Sequence, residues 1–465
     1  MHPERTIDRS PQKMTWWPGA LVAALFLVVA TPAFVAEARR PLPGAGVSAG
    51  PQTSEAFDQD EYHLPIILMF AEQLPRPDLR GYPAATTPGY HLVQAAVWRA
   101  TSNKAAMLAV NLMIGLGLVV LVWAVAARQA GAARAVILTL PVAWSVYVLG
   151  ASIWVTTDNL GWLAALGAVG VSAMPGRSIP RTVGAGVCAA LAVFVRQIHI
   201  WALAPAVLSG LMRSPLARWV PGVVFDEEER DAPRSWRGLA AGVCAGALPV
   251  IVVGGFVLAW GGLLPMNDEM RSRHGGGFAP GGPAFFMACL GVFGWPVLVL
   301  VPGAIRRVAR DPVAWFIVGA GVLVAAVPHT SFDPDAQRKF GWLWHGVRVV
   351  QDAGGEAFAV RSPVLIALAG VGVLSILVCW RAARARGFGG SACILMLSAL
   401  GFALAQSANS AVWQRYYEPM ALVTVAWLVS LGVPKDLPAW RWSGFAAIAL
   451  AQLGLALATV IAPAL

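Results

Sequence analysis

Long apolar stretches separated by short polar connections run through most of this chain. Several of them reach the roughly 20 mainly apolar residues that a membrane-spanning helix needs. The pattern predicts an all-α polytopic membrane protein with about 11–13 transmembrane helices, allowing for short candidates. The predicted helical stretches are 16–36, 105–127, 135–154, 159–174, 182–195, 198–212, 239–261, 284–303, 313–328, 362–380, 391–408, 419–432 and 443–462.

Composition supports the membrane assignment and excludes a soluble protein with an aqueous surface. Of 465 residues, 57% are hydrophobic and 12% are charged, and the mean hydropathy is +0.64. The net charge of +10 could suggest a nucleic-acid partner, but excess Lys and Arg in a membrane protein usually marks cytoplasmic loops. We therefore predict membrane lipids, and no nucleic acid, as partners.

The basic residues also predict an orientation. With a cytoplasmic N-terminus, 20 of the 34 Lys and Arg residues fall in the inner loops, which are also the shorter ones. That is the positive-inside pattern, and the N-terminal run 16–35 is then a signal anchor. The mixed-charge inner loop 226–231 is interpreted as solvated surface. The chemically unusual segments lie on the outer face, which comprises 38–104, Arg196 to His199, 262–283, 329–361 and 414–418.

An acidic cluster marks the first outer loop, 38–104. Asp58, Asp60, Glu61 and His63 stand together there, and clustered carboxylates raise one another's pKa, which suits a general base. The pattern predicts a helix that begins at Asp60 and carries Pro65 in its first turn. Asp60 as a simple helix N-cap is the alternative, and the cluster alone favours neither.

Further polar residues occur in three later segments. Thr86 and Thr87, shortly before His91, present hydroxyls to a polar ligand or form a turn that caps the next helix. Arg196 and Gln197 separate two stretches too short to cross a bilayer upright, and these predict a dipping hairpin with Arg196 facing a polar cavity.

The segment that ends in Gly275-Gly276-Gly277 contains Arg271, Arg273 and His274. Arginine with a glycine run suits an anion-binding nest, and a flexible surface loop is the alternative. The five cysteines lie inside predicted spans without metal spacing, and the histidines near 329–361 show none either. We predict neither disulfides nor a metal cofactor.

With these residues identified, the chain resembles the GT-C superfamily of multispanning glycosyltransferases. Within it, the chain looks like the family of dolichyl-phosphate-glucose alpha-1,2-glucosyltransferases. The similar motifs are Asp60-Glu61, His63-Leu64-Pro65, Thr86-Thr87-Pro88-Gly89, Arg196-Gln197 with Trp201, and Arg415-Tyr416 with Pro419. One residue is missing between the acidic pair and His63. The high Ala, Gly and Arg content favours a bacterial relative.

The resemblance implies a GT-C-like bundle with a long extracytoplasmic first loop, acting in the bacterial inner membrane. It implies inverting transfer of a glucose or other sugar from a polyprenyl-phosphate donor to a hydroxyl of a lipid-linked or cell-envelope glycan. Asp60 would be the general base, supported by Glu61 or Asp58, and no divalent metal is demanded. The implied substrate and phosphate contacts are His63, Thr86, Thr87, His91, Arg196, Gln197, Arg271, Arg273, His274, Arg415 and Tyr416.

Two other classes of protein fit parts of the pattern. A transporter or lipid flippase would carry charges deep in its spans and an internal repeat, whereas the apolar stretches here are almost uncharged. A scaffold without activity would leave the cluster from Asp60 to His63 without a role. Polar chemistry concentrated on one face favours catalysis at a membrane surface.

Overall fold

A computed structural model describes residues 15–42, 54–174, 176, 178–220, 234–274, 277–332, 339–358, 360–409, 411–434 and 437–464. The inner loop 226–231 and the residues Gly275 and Gly276 lie outside this part of the chain. The described residues are mostly helical, which confirms the predicted fold class of an all-α polytopic membrane protein.

The helices follow one another in two groups. The first group is α1 (Trp17–Arg39), α2 (Ser54–Asp58), α3 (Leu64–Gln73), α4 (Gly89–Thr101), α5 (Lys104–Ala130), α6 (Ala132–Ala143), α7 (Val146–Ile153), α8 (Asp158–Ala173), α9 (Ile179–Val195) and α10 (Leu203–Met212). The second group is α11 (Trp236–Trp260), α12 (Asp268–His274), α13 (Gly281–Gly294), α14 (Val297–Leu300), α15 (Pro302–Ala309), α16 (Pro312–Ala326), α17 (Trp342–Gly354), α18 (Pro363–Ala385), α19 (Gly389–Gln406), α20 (Glu418–Gly432), α21 (Ser443–Ala456) and α22 (Ala462–Ala464).

Short elements connect these helices. The 3₁₀ turns are Gln197–Ala202, Pro215–Trp219, Gly355–Phe358, Gln414–Tyr416 and Ala439–Trp442, and the π turns are Gln59–His63 and Leu457–Ile461. Two strands of two residues each, β1 (Lys339–Phe340) and β2 (Val412–Trp413), pair in parallel. This pairing joins the segment 329–361 to the residues just before α20.

All thirteen predicted apolar stretches lie on helices. Among the described residues, six helices are long and apolar enough to cross a membrane, or up to eight if each of two bent pairs counts as one span. The bent pairs are α6 with α7, at 70°, and α15 with α16, at 89°. The remaining stretches form shorter helices, which pack against their neighbours.

Helix α20 lies at the centre of the bundle. All fifteen of its residues are buried, and its Trp427 donates a hydrogen bond of 3.1 Å from Nε1 to the Val122 carbonyl of α5. Gly432 approaches α18 so closely that a Cβ there would lie 3.0 Å from the Cys379 carbonyl oxygen. The position of α20 therefore fixes the Arg415-Tyr416 segment that immediately precedes it.

The helices α9 and α10 form the predicted hairpin. Thr182 Oγ1 lies 3.1 Å from Ser209 Oγ, so the two helices run side by side in opposite directions. Between them, Arg196 adopts an extended backbone with φ −150° and ψ 118°. A close approach of Gly210 to Gly242 packs the hairpin against α11.

The helix of the first outer loop begins earlier than the sequence indicates. It begins at Ser54 as α2, and Gln59–His63 forms a π turn before α3. The predicted start at Asp60 is therefore wrong, although Pro65 does lie in the first turn of α3. A π turn adds a residue to the helical turn, which is a local irregularity that hydrophobic periodicity does not reveal.

Candidate active site

Segments that lie far apart in the sequence meet at the N-terminal end of α20. Arg415 Nη1 forms an ion pair with Asp58 Oδ2 of the segment 38–104. The Arg196 guanidinium lies 4.8 Å from the ring centroid of Tyr416. Two of the predicted polar segments thus join the acidic cluster in one buried group. We call Arg196 and Arg415 the arginine pair.

Arg415 is enclosed on several sides. Its Nη2 donates a hydrogen bond of 3.2 Å to the Tyr416 hydroxyl, and its guanidinium lies 4.5 Å from the ring centroid of Trp413. The side chain is 11% exposed and that of Asp58 is 17% exposed. Burial alone would lower the pKa of Arg415, but Tyr416 and Asp58 outweigh it and raise the pKa above its ordinary value. Arg415 therefore stays charged.

Arg196 has a carboxylate partner that is not among the predicted site residues. Its Nη1 forms an ion pair with Asp158 Oδ1, the side chains being 13% and 11% exposed. Asp158 is the only acidic residue between Asp78 and Asp226. A lone acid between two apolar helices is the signal that could have identified it, because a buried charge needs a partner.

Tyr416 lies between the two guanidiniums. Burial by itself raises the pKa of its hydroxyl, but Arg415 and Arg196 outweigh that effect and hold the pKa below its ordinary value. The order of the cluster is therefore Asp58, Arg415, Tyr416, Arg196, Asp158. It concentrates positive charge at one phenolic ring, with a carboxylate at each end.

The three carboxylates predicted to be catalytic, Asp58, Asp60 and Glu61, have different surroundings. Both carboxylate oxygens of Asp60 accept hydrogen bonds from Arg40 Nη2, at 2.7 and 2.5 Å. Arg40 also pairs with Glu37, which forms a second ion pair with Lys104 at 2.6 Å. Asp60, predicted as the general base, is thus part of an ionic network with α1 and α5.

Glu61 is exposed and Asp60 is 8% exposed. Asp58 forms its ion pair with Arg415 of the arginine pair, whereas Asp60 forms one with Arg40. Since general-base work requires a carboxylate next to the reacting groups, this geometry favours Asp58 over Asp60.

Two histidines link α3 to α4 beside this group. His63 Nδ1 lies 3.0 Å from His91 Nε2. Removal from water, together with Arg196 and Arg415, lowers the pKa of His63 to about 3. Burial and His63 likewise lower the pKa of His91 well below its usual value. Both rings are neutral near pH 7, and one donates a hydrogen bond to the other.

The threonine turn docks onto the break between α9 and α10. Thr87 Oγ1 donates to the Val193 carbonyl at 2.7 Å, and Thr87 N donates to Gln197 Oε1 at 3.2 Å. Gln197 Nε2 donates to the Ala85 carbonyl at 2.8 Å. The hydrogen bonds of Thr87 and Gln197 hold this turn beside Arg196. Thr86 Oγ1 is buried and has no hydrogen-bond partner among the described residues.

Arg271, in the glycine-rich segment, binds backbone carbonyls near the end of α11. Arg271 Nε donates to the Pro265 carbonyl at 3.0 Å, and Nη2 donates to the carbonyls of Leu264, at 3.2 Å, and Trp260. Its guanidinium therefore caps the C-terminus of α11. His274 is exposed at the end of α12, and the side chain of Arg273 lies outside the described part of the structure.

A narrow cleft adjoins the arginine pair. Its lining residues are Glu55, Tyr147, Asp158, Asn159, Trp162, Arg415 and Pro419. Within the described ranges, no group of three or more His, Cys, Asp or Glu side chains is arranged to hold a metal ion. The polar groups that line the cleft include two carboxylates, a guanidinium, a phenolic hydroxyl and an amide.

Comparisons with known proteins find similarity only among solved structures. No protein-family model and no curated protein matches the sequence. ArnT from Cupriavidus metallidurans in the apo state is 13% identical, with 89% of this chain and 77% of that chain covered and a TM-score of 0.37. ArnT from the same organism bound to undecaprenyl phosphate is 14% identical, with 96% and 78% covered and a TM-score of 0.36.

The archaeal oligosaccharyltransferase AglB from Archaeoglobus fulgidus, in complex with an inhibitory peptide and a dolichol-phosphate, is also similar. The two chains are 12% identical, with 97% of this chain and 56% of that chain covered and a TM-score of 0.40. Similarity at these TM-scores does not assign the chain to a family. We therefore infer the function from the residues of the site.

Proposed function

We propose that this integral membrane protein is a glycosyltransferase that moves a sugar from a polyprenyl-phosphate donor to an acceptor hydroxyl. The observation that carries the proposal is the buried contact of Asp58 with Arg415, beside Tyr416 and Arg196. A carboxylate, two cations and a membrane location are the parts that such a transfer needs. The motif resemblance to the GT-C superfamily points to the same chemistry.

The arginine pair supplies the site for the donor phosphate. Guanidinium groups bind phosphate oxygens bidentately and stay charged. As the bond from the anomeric carbon to the phosphate oxygen breaks, the phosphate gains one negative charge. Two buried cations stabilise that charge more strongly than water does.

Asp58 is the proposed general base. A sugar hydroxyl is a weak nucleophile, so its proton must be taken as it attacks. The acceptor oxygen forms a bond to the anomeric carbon with inversion, its proton moves to a carboxylate oxygen of Asp58, and the bonding electrons leave with the lipid phosphate. The scheme contains no metal step.

The finer assignments follow the resemblance. We propose a glucosyl or related donor, an acceptor in a lipid-linked or cell-envelope glycan, and the inner membrane of a bacterium.

Arg386 donates to the Leu431 and Val433 carbonyls at the far end of α20 from Arg415, so the basic connections at that end suit the cytoplasmic side. The site would then face outward, which labelling of Arg348→Cys with a membrane-impermeant maleimide tests. Labelling only after the membrane is opened would contradict this orientation.

The experiment for the function is turnover of a panel of polyprenyl-phosphate sugars by the protein in nanodiscs. We expect release of the prenyl phosphate from one donor, and a loss on the order of 100-fold or more in Arg415→Gln, as for removal of a charge-stabilising group. Arg348→Gln, in an exposed ion pair with Asp352 at 3.7 Å, is the matched control. A folded wild type that neither binds nor consumes any donor would contradict the proposal and favour transport assays.

A further inference from the structure

We propose that Asp58 and the donor phosphate compete for Arg415, so that donor binding is the event that frees the base. The inference rests on the proposed function and concerns the order of events at the same site. It follows from the ion pair itself, because the group proposed to accept the proton and the group proposed to hold the phosphate are bound to each other.

The surroundings of Arg415 leave little room for two anions at once. Nη1 is bonded to Asp58, Nη2 is bonded to the Tyr416 hydroxyl, and the Trp413 ring covers one face of the guanidinium at 4.5 Å. The side chain is 11% exposed. A phosphate that binds across Nη1 and Nη2 meets both of these partners, whereas Nε is buried and has no hydrogen-bond partner among the described residues.

Asp58 is the partner that can be exchanged at the lower cost. Carboxylate and phosphate are both bidentate partners for a guanidinium, so one anion replaces the other without leaving Arg415 unpaired, which would be costly in a buried site. Asp58 is more exposed than Arg415, at 17% against 11%. Tyr416 directly precedes the central helix α20 and remains in place.

The charge changes during transfer agree with this exchange. A donor phosphodiester carries one negative charge, and the departing lipid phosphate monoester carries more. As the phosphate gains charge, Asp58 loses its own by accepting the acceptor proton. The two anions carry equal charge before transfer, and Arg415 is bound to the more negative one as soon as transfer begins. Asp58 pairs with it again once the product leaves and the proton is released.

The competing interpretation is that Asp58 only orients Arg415 for the phosphate. The two interpretations predict opposite signs for one substitution. If Asp58 competes, Asp58→Asn removes the competitor and tightens phosphate binding. If Asp58 orients Arg415, the same substitution weakens binding, because the guanidinium loses its support.

The test is a titration of wild type, Asp58→Asn and Asp352→Asn with undecaprenyl phosphate in nanodiscs. We expect the Kd to fall on the order of tenfold in Asp58→Asn, equivalent to about 1.4 kcal/mol. Asp352→Asn, which makes the same chemical change in an exposed pair, should bind as wild type does. A Kd that is unchanged or higher in Asp58→Asn would overturn the inference.

A second measurement uses only the wild type, in case Asp58→Asn does not fold. Undecaprenyl phosphate should increase the labelling of Asp58 by a hydrophobic carbodiimide, read by peptide mass spectrometry, while Asp60 labelling stays constant. Protection or no change at Asp58 would overturn the inference. Failure of the wild type to bind undecaprenyl phosphate at all would instead contradict the proposed function.

Discussion

At the residue scale, the site depends on side chains whose pKa is shifted by their surroundings. His63 and His91 form a hydrogen-bonded pair that is neutral at pH 7. A neutral pair suits a position beside two arginines, because imidazolium there would add to the positive charge. The histidines consequently support the geometry of the first outer loop without repelling the arginine pair.

This neutrality predicts a pH dependence of stability. The pKa of His63 is about 3 in the folded protein, against 6.5 ordinarily, so the unfolded chain binds more protons between these values. The contribution of neutral His63 to the free energy of unfolding is fully present above pH 6.5, and it is lost as the pH falls towards 3. We expect the thermal midpoint to fall less between pH 7.5 and pH 5 in His63→Gln than in wild type. His345→Gln, at an exposed site, should keep the wild-type slope, and equal slopes in all three proteins would contradict the account.

Residue types could be predicted from the sequence better than residue partners. The cluster Asp58, Asp60, Glu61 and His63 stands out in a chain with few charges, and so do Arg196 and Arg415. Which acidic residue pairs with which arginine was not predictable, because Asp58 and Arg415 are 357 positions apart. Asp60 was therefore predicted as the base, and its pairing with Arg40 was not foreseen.

At the element scale, one buried carboxylate joins the segments that surround the site. Glu418, at the start of α20, is fully buried and accepts four hydrogen bonds. The donors are Ser145 Oγ at 2.7 Å, Trp342 Nε1 at 2.9 Å, Gln414 Nε2 at 2.7 Å and Gln452 Nε2 at 3.0 Å. They come from the start of α7, from α17, from the turn that contains Arg415, and from α21.

Glu418→Gln should therefore destabilise the protein strongly. Its amide nitrogen would face donors instead of accepting from them, leaving buried groups unpaired at a cost of about 3 kcal/mol. We expect a lower thermal midpoint in detergent than for wild type, measured with Asp352→Gln as an exposed control. A midpoint within error of wild type would show that the four contacts do not hold these elements together.

Elements were predictable where hydrophobic patterning is strong and not where the helix is irregular. Each predicted apolar stretch lies on a helix, including the two that form the hairpin α9 and α10. The π turn at Gln59–His63 was missed, since an inserted residue has no signature in the hydrophobic pattern. The short pairing of β1 with β2 was missed as well, because two-residue strands are too short to show alternation.

At the scale of the whole molecule, the polar chemistry gathers at one end of a helical membrane bundle. Arg415 lies just before helix α20, and Glu418 is the first residue of that helix. At its other end, Arg386 donates a hydrogen bond to the Leu431 carbonyl. The full burial of α20 makes it the axis around which the neighbouring helices pack. Composition predicted the membrane location, whereas the number of full spans depends on how the shorter helices pack.

The most direct test of the account compares donor turnover by Asp58→Asn, Asp60→Asn and Asp352→Asn, each corrected for folded protein. We predict that Asp58→Asn loses on the order of 100-fold or more, as expected for a general base. Asp60→Asn should keep measurable turnover per folded molecule, and Asp352→Asn should match wild type. Wild-type turnover in Asp58→Asn, or loss confined to Asp60→Asn, would contradict the assignment of Asp58 as the base.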